Sequence, residues 1–405
     1  MGRKKQGRKV RYMMKRFLRV AMLLAGVTVL LSALSFQTRE VQAAPSGGQS
    51  SQNRLNSVSW GKWSVVPSPN GNGSSGLSAV AVVSANAIWA VGNISDPLTR
   101  KQTALIEFWD GTQWQIVPSP NPSLLHNTLY GVSAVSANDV WAIGFDANSV
   151  GIAQTLIEHW NGSSWSVVTS PNPGSGGNEL FSVAAVSARD VWAVGFDVNS
   201  IGEQTALIEH WNGAQWRVVP SPSSNSVEVL SSVAAVSAND VWAVGTSNIG
   251  TQTLIEHWNG SGWQVMPSPD PGGELRGVAA VSRSDVWAVG DSPNGAGGSS
   301  QPLVEHWNGA SWQVIKSPQA GTSSLLSAVA AVSATDVWAV GSDGNGNTFF
   351  QTLIEHWNGS GWSVVPSPSP GSFSTQLLGV AAVSATDVWA VGYADNNTLI
   401  EHDQC

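Results

Sequence analysis

The residues with the most chemical potential in this sequence come in pairs. Glu-His occurs at 158–159, 209–210, 256–257, 305–306, 355–356 and 401–402, with Glu107-Phe108 in the corresponding place near the start. A carboxylate beside an imidazole can serve acid–base catalysis or hold a metal. Neighbours on a β-strand project to opposite faces, however, so each Glu and the His after it cannot share one ligand. A catalytic centre is also normally single, whereas this pair recurs. A repeated hydrogen-bond device fits better, each His reaching the Ser or Asp of a phrase such as Val-Ser-Ala-Asn-Asp-Val-Trp. Asp139, Asp190, Asp240, Asp285, Asp336 and Asp387 stand in that phrase, where each is expected to start a strand and cap the turn before it. His126 is the one histidine outside the series. With Asp146, Asp197, Asp395 and Tyr393 it offers the groups a glycosidase or lyase would need, two carboxylates or an acid with a Tyr or His. Asp343-Gly-Asn-Gly-Asn347 begins like a calcium loop but lacks the Gly and Glu that the EF-hand spacing requires at positions 6 and 12. Ca2+ is therefore the only cofactor left open, and no metal site or catalytic residue is assigned. No phosphate-binding loop, nucleophile elbow or zinc cluster is present.

The elements that must carry these residues repeat as well. Asp-Val-Trp-Ala-Val-Gly or a near copy occurs seven times, its Trp at 89, 141, 192, 242, 287, 338 and 389. A phrase resembling Leu-Ile-Glu-His-Trp-Asn-Gly-x-x-Trp-x-Val-Val-Pro-Ser-Pro recurs between the copies, and a run resembling Leu-x-x-Val-Ala-Ala-Val-Ser-Ala precedes each. Each unit thus holds four short apolar runs, in the third unit 181–188, 190–195, 204–211 and 216–222. Short runs rich in Val, Ile and Trp, bounded by turn residues, read as strands, here called A to D from the inside out. Their near-continuous apolar character implies burial on both faces. Asn-Gly between C and D favours a tight turn with φ > 0. Pro-Ser-Pro after D suits an exposed edge, where proline removes a ladder donor. Asp190, Trp192, His210, Trp211 and Trp216 are accordingly scaffold residues. The first D phrase, at 63–69, has no C strand before it, and the last C phrase, at 398–402, has no D strand after it. Together they complete one unit. The expected fold is an all-β, seven-bladed propeller of four-stranded antiparallel blades, closed by the N-terminal strand D against the C-terminal strand C.

Three regions follow from composition. Residues 1–44 read as a signal peptide, with a basic start, an apolar run from Val20 to Leu34 and small residues near Ala43 and Ala44. Residues 45–59 read as a flexible linker, and 60–405 as the propeller. Beyond residue 44 there remain nine basic and 26 acidic residues, a net charge near −17. Such a surface repels nucleic acid and anionic lipid. Neither nucleic-acid binding nor stable membrane insertion after signal cleavage is expected. Cys405 is the only cysteine, so no internal disulfide can form and packing must hold the fold together. A secreted or cell-surface monomer is expected.

The unit resembles a kelch repeat, a family whose hydrophobic strand ends in glycine and is followed by an aromatic residue, a tryptophan and a proline. Asp-Val-Trp-Ala-Val-Gly stands for the first part, and Trp160, Trp165 and Pro171 for the rest, over residues 60–402. The sequence departs from the family in having one Gly where kelch usually has two, and Trp where kelch usually has Tyr. The resemblance implies a galactose-oxidase-type propeller, but the copper chemistry of that group uses Tyr and Cys ligands and is not implied here.

What repeats builds the scaffold, and what varies is free for function. The D–A and B–C loops vary and open on one face, so that face is the candidate binding surface. The B–C loops contribute Phe145, Asp146, Phe196, Asp197, Tyr393 and Asp395. The D–A loops contribute Tyr130, Glu179, Phe181, Glu228, Glu274, Arg276 and Phe373. From these, Phe145, Asp146, Phe196, Asp197, Tyr130, Arg276, Tyr393 and Asp395 are the candidate ligand-binding residues. Aromatics beside Asp and Asn suit stacking on a sugar, and the acidic excess suits a cationic partner. The expected function is non-catalytic binding of an extracellular polysaccharide or protein. A carbohydrate-active enzyme at the channel mouth and a structural coat protein are the alternatives.

Overall fold

The computed structural model describes residues 62–222, 227–248, 250–269, 272–294, 299–344 and 349–404. The expected signal peptide and linker, Cys405 and Asn345–Asn347 of the calcium-like loop lie outside the described residues. Those described form seven four-stranded antiparallel sheets, each ordered A-B-C-D. Blade 3 shows the plan: strand A is Gly177–Ser187, B is Asp190–Val198, C is Gln204–Trp211 and D is Trp216–Val218. Strand B is buried from Val191 to Phe196, as a strand covered on both faces must be. Strand D is only three residues long and leaves Val218 at the edge, 42% exposed.

Each hydrophobic core lies between two blades. Trp192, Val194 and Ile208 of blade 3 pack on Leu230, Val233, Val241, Ala243, Leu254 and Trp263 of blade 4. Tryptophan makes the seam: Trp192 meets Trp258 and Trp263 of the next blade at ring-centroid distances of 5.0 and 5.4 Å. The strand-B glycine has a steric reason. A Cβ on Gly195 would lie 1.9 Å from the Glu179 carbonyl oxygen, and the other six strand-B glycines meet the matching carbonyl at 1.9–2.0 Å.

The turns differ in detail from expectation. In the C–D turn only the glycine takes the left-handed conformation, with φ of +88° at Gly213. Asn212 acts through its side chain, whose Oδ1 accepts from the amides of Ala214 and Gln215 at 3.0 and 3.1 Å. In the A–B turn the cap is serine rather than the strand-B aspartate: Ser187 Oγ accepts from the Arg189 amide at 3.3 Å. The aspartate is used across the sheet. His210 Nε2 meets Asp190 Oδ1 at 2.8 Å, and the same contact recurs at 2.8 Å in the five other blades that have the pair. The His210 ring also stacks on Trp192 at 4.1 Å, so Asp, His and Trp form one unit.

The ring closes as the split repeat predicts. Ser64 and Val65 pair with His402 and Glu401 of the last strand, Asn397–Gln404, which completes the sheet of blade 7. Asn70 Oδ1 accepts from the Thr398 amide at 2.9 Å and adds a side-chain tie between the two ends. Asp403, only 2% exposed, occupies the place of the strand-C tryptophan.

The strand-C glutamates form a buried ring of their own: Glu107, Glu158, Glu209, Glu256, Glu305, Glu355 and Glu401 are each 0% exposed. The serine of Pro-Ser-Pro, or of Lys-Ser-Pro at 316–318, in one blade donates to the glutamate of the next at four seams: Ser119 to Glu158 at 2.9 Å, Ser221 to Glu256 at 2.7 Å, Ser268 to Glu305 at 2.9 Å, and Ser317 to Glu355. Before blades 1, 3 and 7 the serine bonds a threonine of its own blade, Ser68 with Thr398, Ser170 with Thr155 and Ser367 with Thr352. Burial pushes Glu107, Glu158, Glu209 and Glu401 up to about 8, and Glu256 and Glu355 up to about 7.

Candidate functional site: the channel mouth

Strand A lines the central channel, and its pairing with strand B contains a regular irregularity. In blade 3, Leu180 pairs with Gly195 and Ser182 with Val194, so Phe181 is an extra residue. Such a β-bulge re-aims one side chain. The same bulge occurs in every blade, at Ser78, Tyr130, Phe181, Ser231, Arg276, Ser327 and Leu378. These seven residues line one cavity of about 160 Å³ at the centre of the ring. Behind them the lining narrows to small residues, Ala79, Gly131, Ser182, Ser232, Gly277, Ala328 and Gly379. The volume falls short of the several hundred Å³ of a drug-sized ligand site. It admits one side chain or one sugar ring, and anything larger must rest on the rim.

The bulge residues give the mouth distinct sectors. In blades 2 and 3 it is aromatic. Tyr130 stacks on Phe145 at 5.9 Å and 28°, meets Phe181 edge-on at 5.3 Å, and Phe181 meets Phe196 at 5.5 Å. Tyr130 and Phe181 face the cavity, with Phe145 and Phe196 behind them. Glu179 pairs across the sheet with Phe196 and adjoins this cluster outside the cavity lining; burial and then the Glu179 charge raise the Tyr130 hydroxyl, and burial pushes Glu179 itself up to about 7. In blade 5 the mouth is ionic: Arg276 Nε donates to Asp291 Oδ1 at 2.9 Å and Arg276 Nη2 donates to Glu274. Blades 1, 4 and 6 present the hydroxyls of Ser78, Ser231 and Ser327.

The candidates therefore fall into three groups. Tyr130, Phe145 and Phe196 come together in one cluster, and Arg276 lines the same cavity. Asp146 and Asp197 sit at the ends of the strands that bear Phe145 and Phe196. Burial raises both carboxyls, and Asp197 accepts from Thr205 Oγ1 at 2.9 Å. Tyr393 and Asp395 lie in blade 7, apart from the cluster. Tyr393 is buried beside Gly76, and the Asp395 carboxylate accepts from the amides of Ser372, Phe373 and Ser374 at 2.8–3.0 Å. Those amides hold Asp395 below the usual carboxylate range and give it a loop-binding role. Asp343, from the calcium-like loop, accepts from Ser324 Oγ at 2.8 Å. Among the described residues no carboxylate lies within ion-pair distance of His126. Phe181 and Glu179 join the site although the sequence offers them only as loop contents. Phe181 follows Leu180 at the position the bulge turns inward, and the run Leu-Phe-Ser-Val carries no signal of that turn.

The sequence matches no family profile and no curated protein. The fold is similar to solved propellers. One is YCF48 bound to a D1 peptide, with a TM-score of 0.55 and 14% identity over 86% of this chain and 97% of that one. Another is YCF48 from Cyanidioschyzon merolae, with a TM-score of 0.54 and 16% identity over 85% of this chain and 99% of that one. At these identities the likeness establishes the seven-bladed propeller.

Proposed function

We propose that this protein is a secreted, kelch-like binding propeller without catalytic activity, which holds a polypeptide segment across its channel mouth. The aromatic cluster of Tyr130, Phe145, Phe181 and Phe196 carries the reading. Two rings facing a cavity sized for one side chain, with two more packed behind them, form a preorganised apolar anchor site, the arrangement that dominates binding energy at interfaces. The basic, apolar and small-residue order of positions 1–44 supports secretion, and the YCF48 propeller bound to a peptide supports the ligand class. A second reading, an extracellular glycan, draws on Arg276. Held between Glu274 and Asp291, its guanidinium presents fixed polar groups opposite the rings, and ring stacking with such groups suits a sugar.

Arrays of peptides and of glycans probed with the purified protein test both readings. The informative variant is Tyr130→Ser with Phe181→Ser, because serine already stands at the bulge in blades 1, 4 and 6 and the fold accepts it there. Binding is expected to be lost with the melting temperature nearly unchanged. Peptide binding that survives the double change would remove the aromatic cluster from the function.

A further inference from the structure

The Glu179 carboxylate has no cation on the elements around it. Strand A of blade 3 packs against strands A, B and C of blade 2, strand B of its own blade and strand A of blade 4. Toward the mouth these strands contribute Tyr130, Asp146, Asp197 and Glu228. Farther along they contribute Glu158 and the paired aspartates and histidine Asp139, His159 and Asp190. None of the five carries a lysine or an arginine. The cation that does line the cavity, Arg276, is already shared by two carboxylates. The mouth thus combines a net negative charge, two aromatic rings facing a side-chain-sized cavity, and a desolvated carboxylate beside them.

Each part favours the same occupant. A lysine or arginine is attracted to the face of an aromatic ring within about 6 Å, more so where water is excluded. Its aliphatic stem covers apolar surface while its head reaches a polar group. A carboxylate that burial has made costly to ionise recovers the loss when a cation arrives. We infer that the channel mouth is a socket for one lysine or arginine side chain of the bound polypeptide, its stem against Tyr130 and Phe181 and its head on Glu179. This rests on the polypeptide reading and names the residue that reading requires. Because Glu179 titrates near neutrality, binding of the cation strengthens as pH rises from about 6 to about 8.

The test uses the purified protein and two matched peptide sets, one containing Lys and Arg and the other norleucine and citrulline in their place. Calorimetry or fluorescence anisotropy at pH 6 and pH 8 is expected to show binding of the basic set, weakened at least about tenfold in the neutral set, the scale of one charge-assisted hydrogen bond. Glu179→Gln, which keeps the shape and removes the charge, is expected to lower affinity for the basic set to a similar degree and to abolish the pH dependence, with the melting temperature preserved. Equal binding of both sets overturns the socket while leaving the polypeptide reading intact. An unchanged affinity in Glu179→Gln does the same. Failure of both sets beside a positive glycan array overturns both.

Discussion

Glu209 offers a direct measure of what the buried carboxylates cost. It is 0% exposed, neither of its oxygens has a hydrogen-bond partner among the described residues, and Ser170, whose counterparts serve glutamates elsewhere, bonds Thr155 instead. Burial moves the carboxyl from 4.5 up to about 8. Each tenfold change in proton affinity is worth about 1.4 kcal/mol, so the charged form costs the fold on the order of 5 kcal/mol. The sign follows from linkage. The folded state holds the proton more tightly, so the stabilising contribution is complete below about pH 4.5 and is lost as pH rises through about 8. Five more glutamates in the ring shift the same way. The wild type should therefore melt at a lower temperature at pH 9 than at pH 5. Glu209→Gln replaces the carboxyl with a neutral group of nearly equal size. At pH 5 both side chains are uncharged and stability should change little. At pH 9 the variant should be more stable by several kcal/mol, which for a large domain is on the order of 5–10 °C. Thermal melts followed by tryptophan fluorescence across pH 5–9 provide the measurement. A variant no more stable than wild type at pH 9 would refute the reasoning, as would a wild-type melting temperature that rises with pH.

Two further predictions concern the scaffold. Deleting residues 397–405 removes the fully buried pair Leu399 and Ile400 and the strand to which Ser64 and Val65 attach. At about 2 kcal/mol for each buried side chain, before lost hydrogen bonds, this takes a large share of a typical stability of roughly 5–15 kcal/mol. A circular-dichroism melt should shift down by more than about 10 °C, and an unchanged melt would mean the ring is not closed there. In blade 3, His210→Ala leaves Asp190 without its partner and should cost about 1–3 kcal/mol in chemical denaturation. His210→Phe with Asp190→Ala reproduces blade 1, where Phe108 lies 4.6 Å from Trp89 and Ala87 replaces the aspartate. The double variant should cost less than His210→Ala, and the reverse order would mean the histidine acts through something other than that aspartate.

Much of the architecture could be read from the sequence because it is enforced seven times. The Trp spacing, the four apolar runs and the orphaned half-units at 63–69 and 398–402 leave one closed arrangement. The adjacency of Glu and His on a strand, with Asp at the start of the neighbouring strand, points to the cross-strand contact seen between His210 and Asp190. What could not be read depends on local backbone geometry. The bulge after Leu180 is invisible in the run Leu-Phe-Ser-Val, yet it decides that Phe181 faces the channel. Asp395 and Asp197 both read in sequence as B–C loop carboxylates, but three amides engage Asp395 because Ser372–Ser374 fold back over it. The clustering of Tyr130, Phe145, Phe181 and Phe196 needs two neighbouring blades, and a pattern read one repeat at a time does not contain it.

The bulge has an evolutionary consequence. It places one residue per blade on a common ring, and the backbone beneath accepts very different side chains there: serine, tyrosine, phenylalanine, arginine and leucine all occupy it beside the same close approach of the strand-B glycine to a strand-A carbonyl. Folding and recognition are thereby written in separate letters of the same repeat. Drift or a laboratory library confined to positions 78, 130, 181, 231, 276, 327 and 378 could rewrite ligand preference across seven slots while the blades keep the same backbone plan.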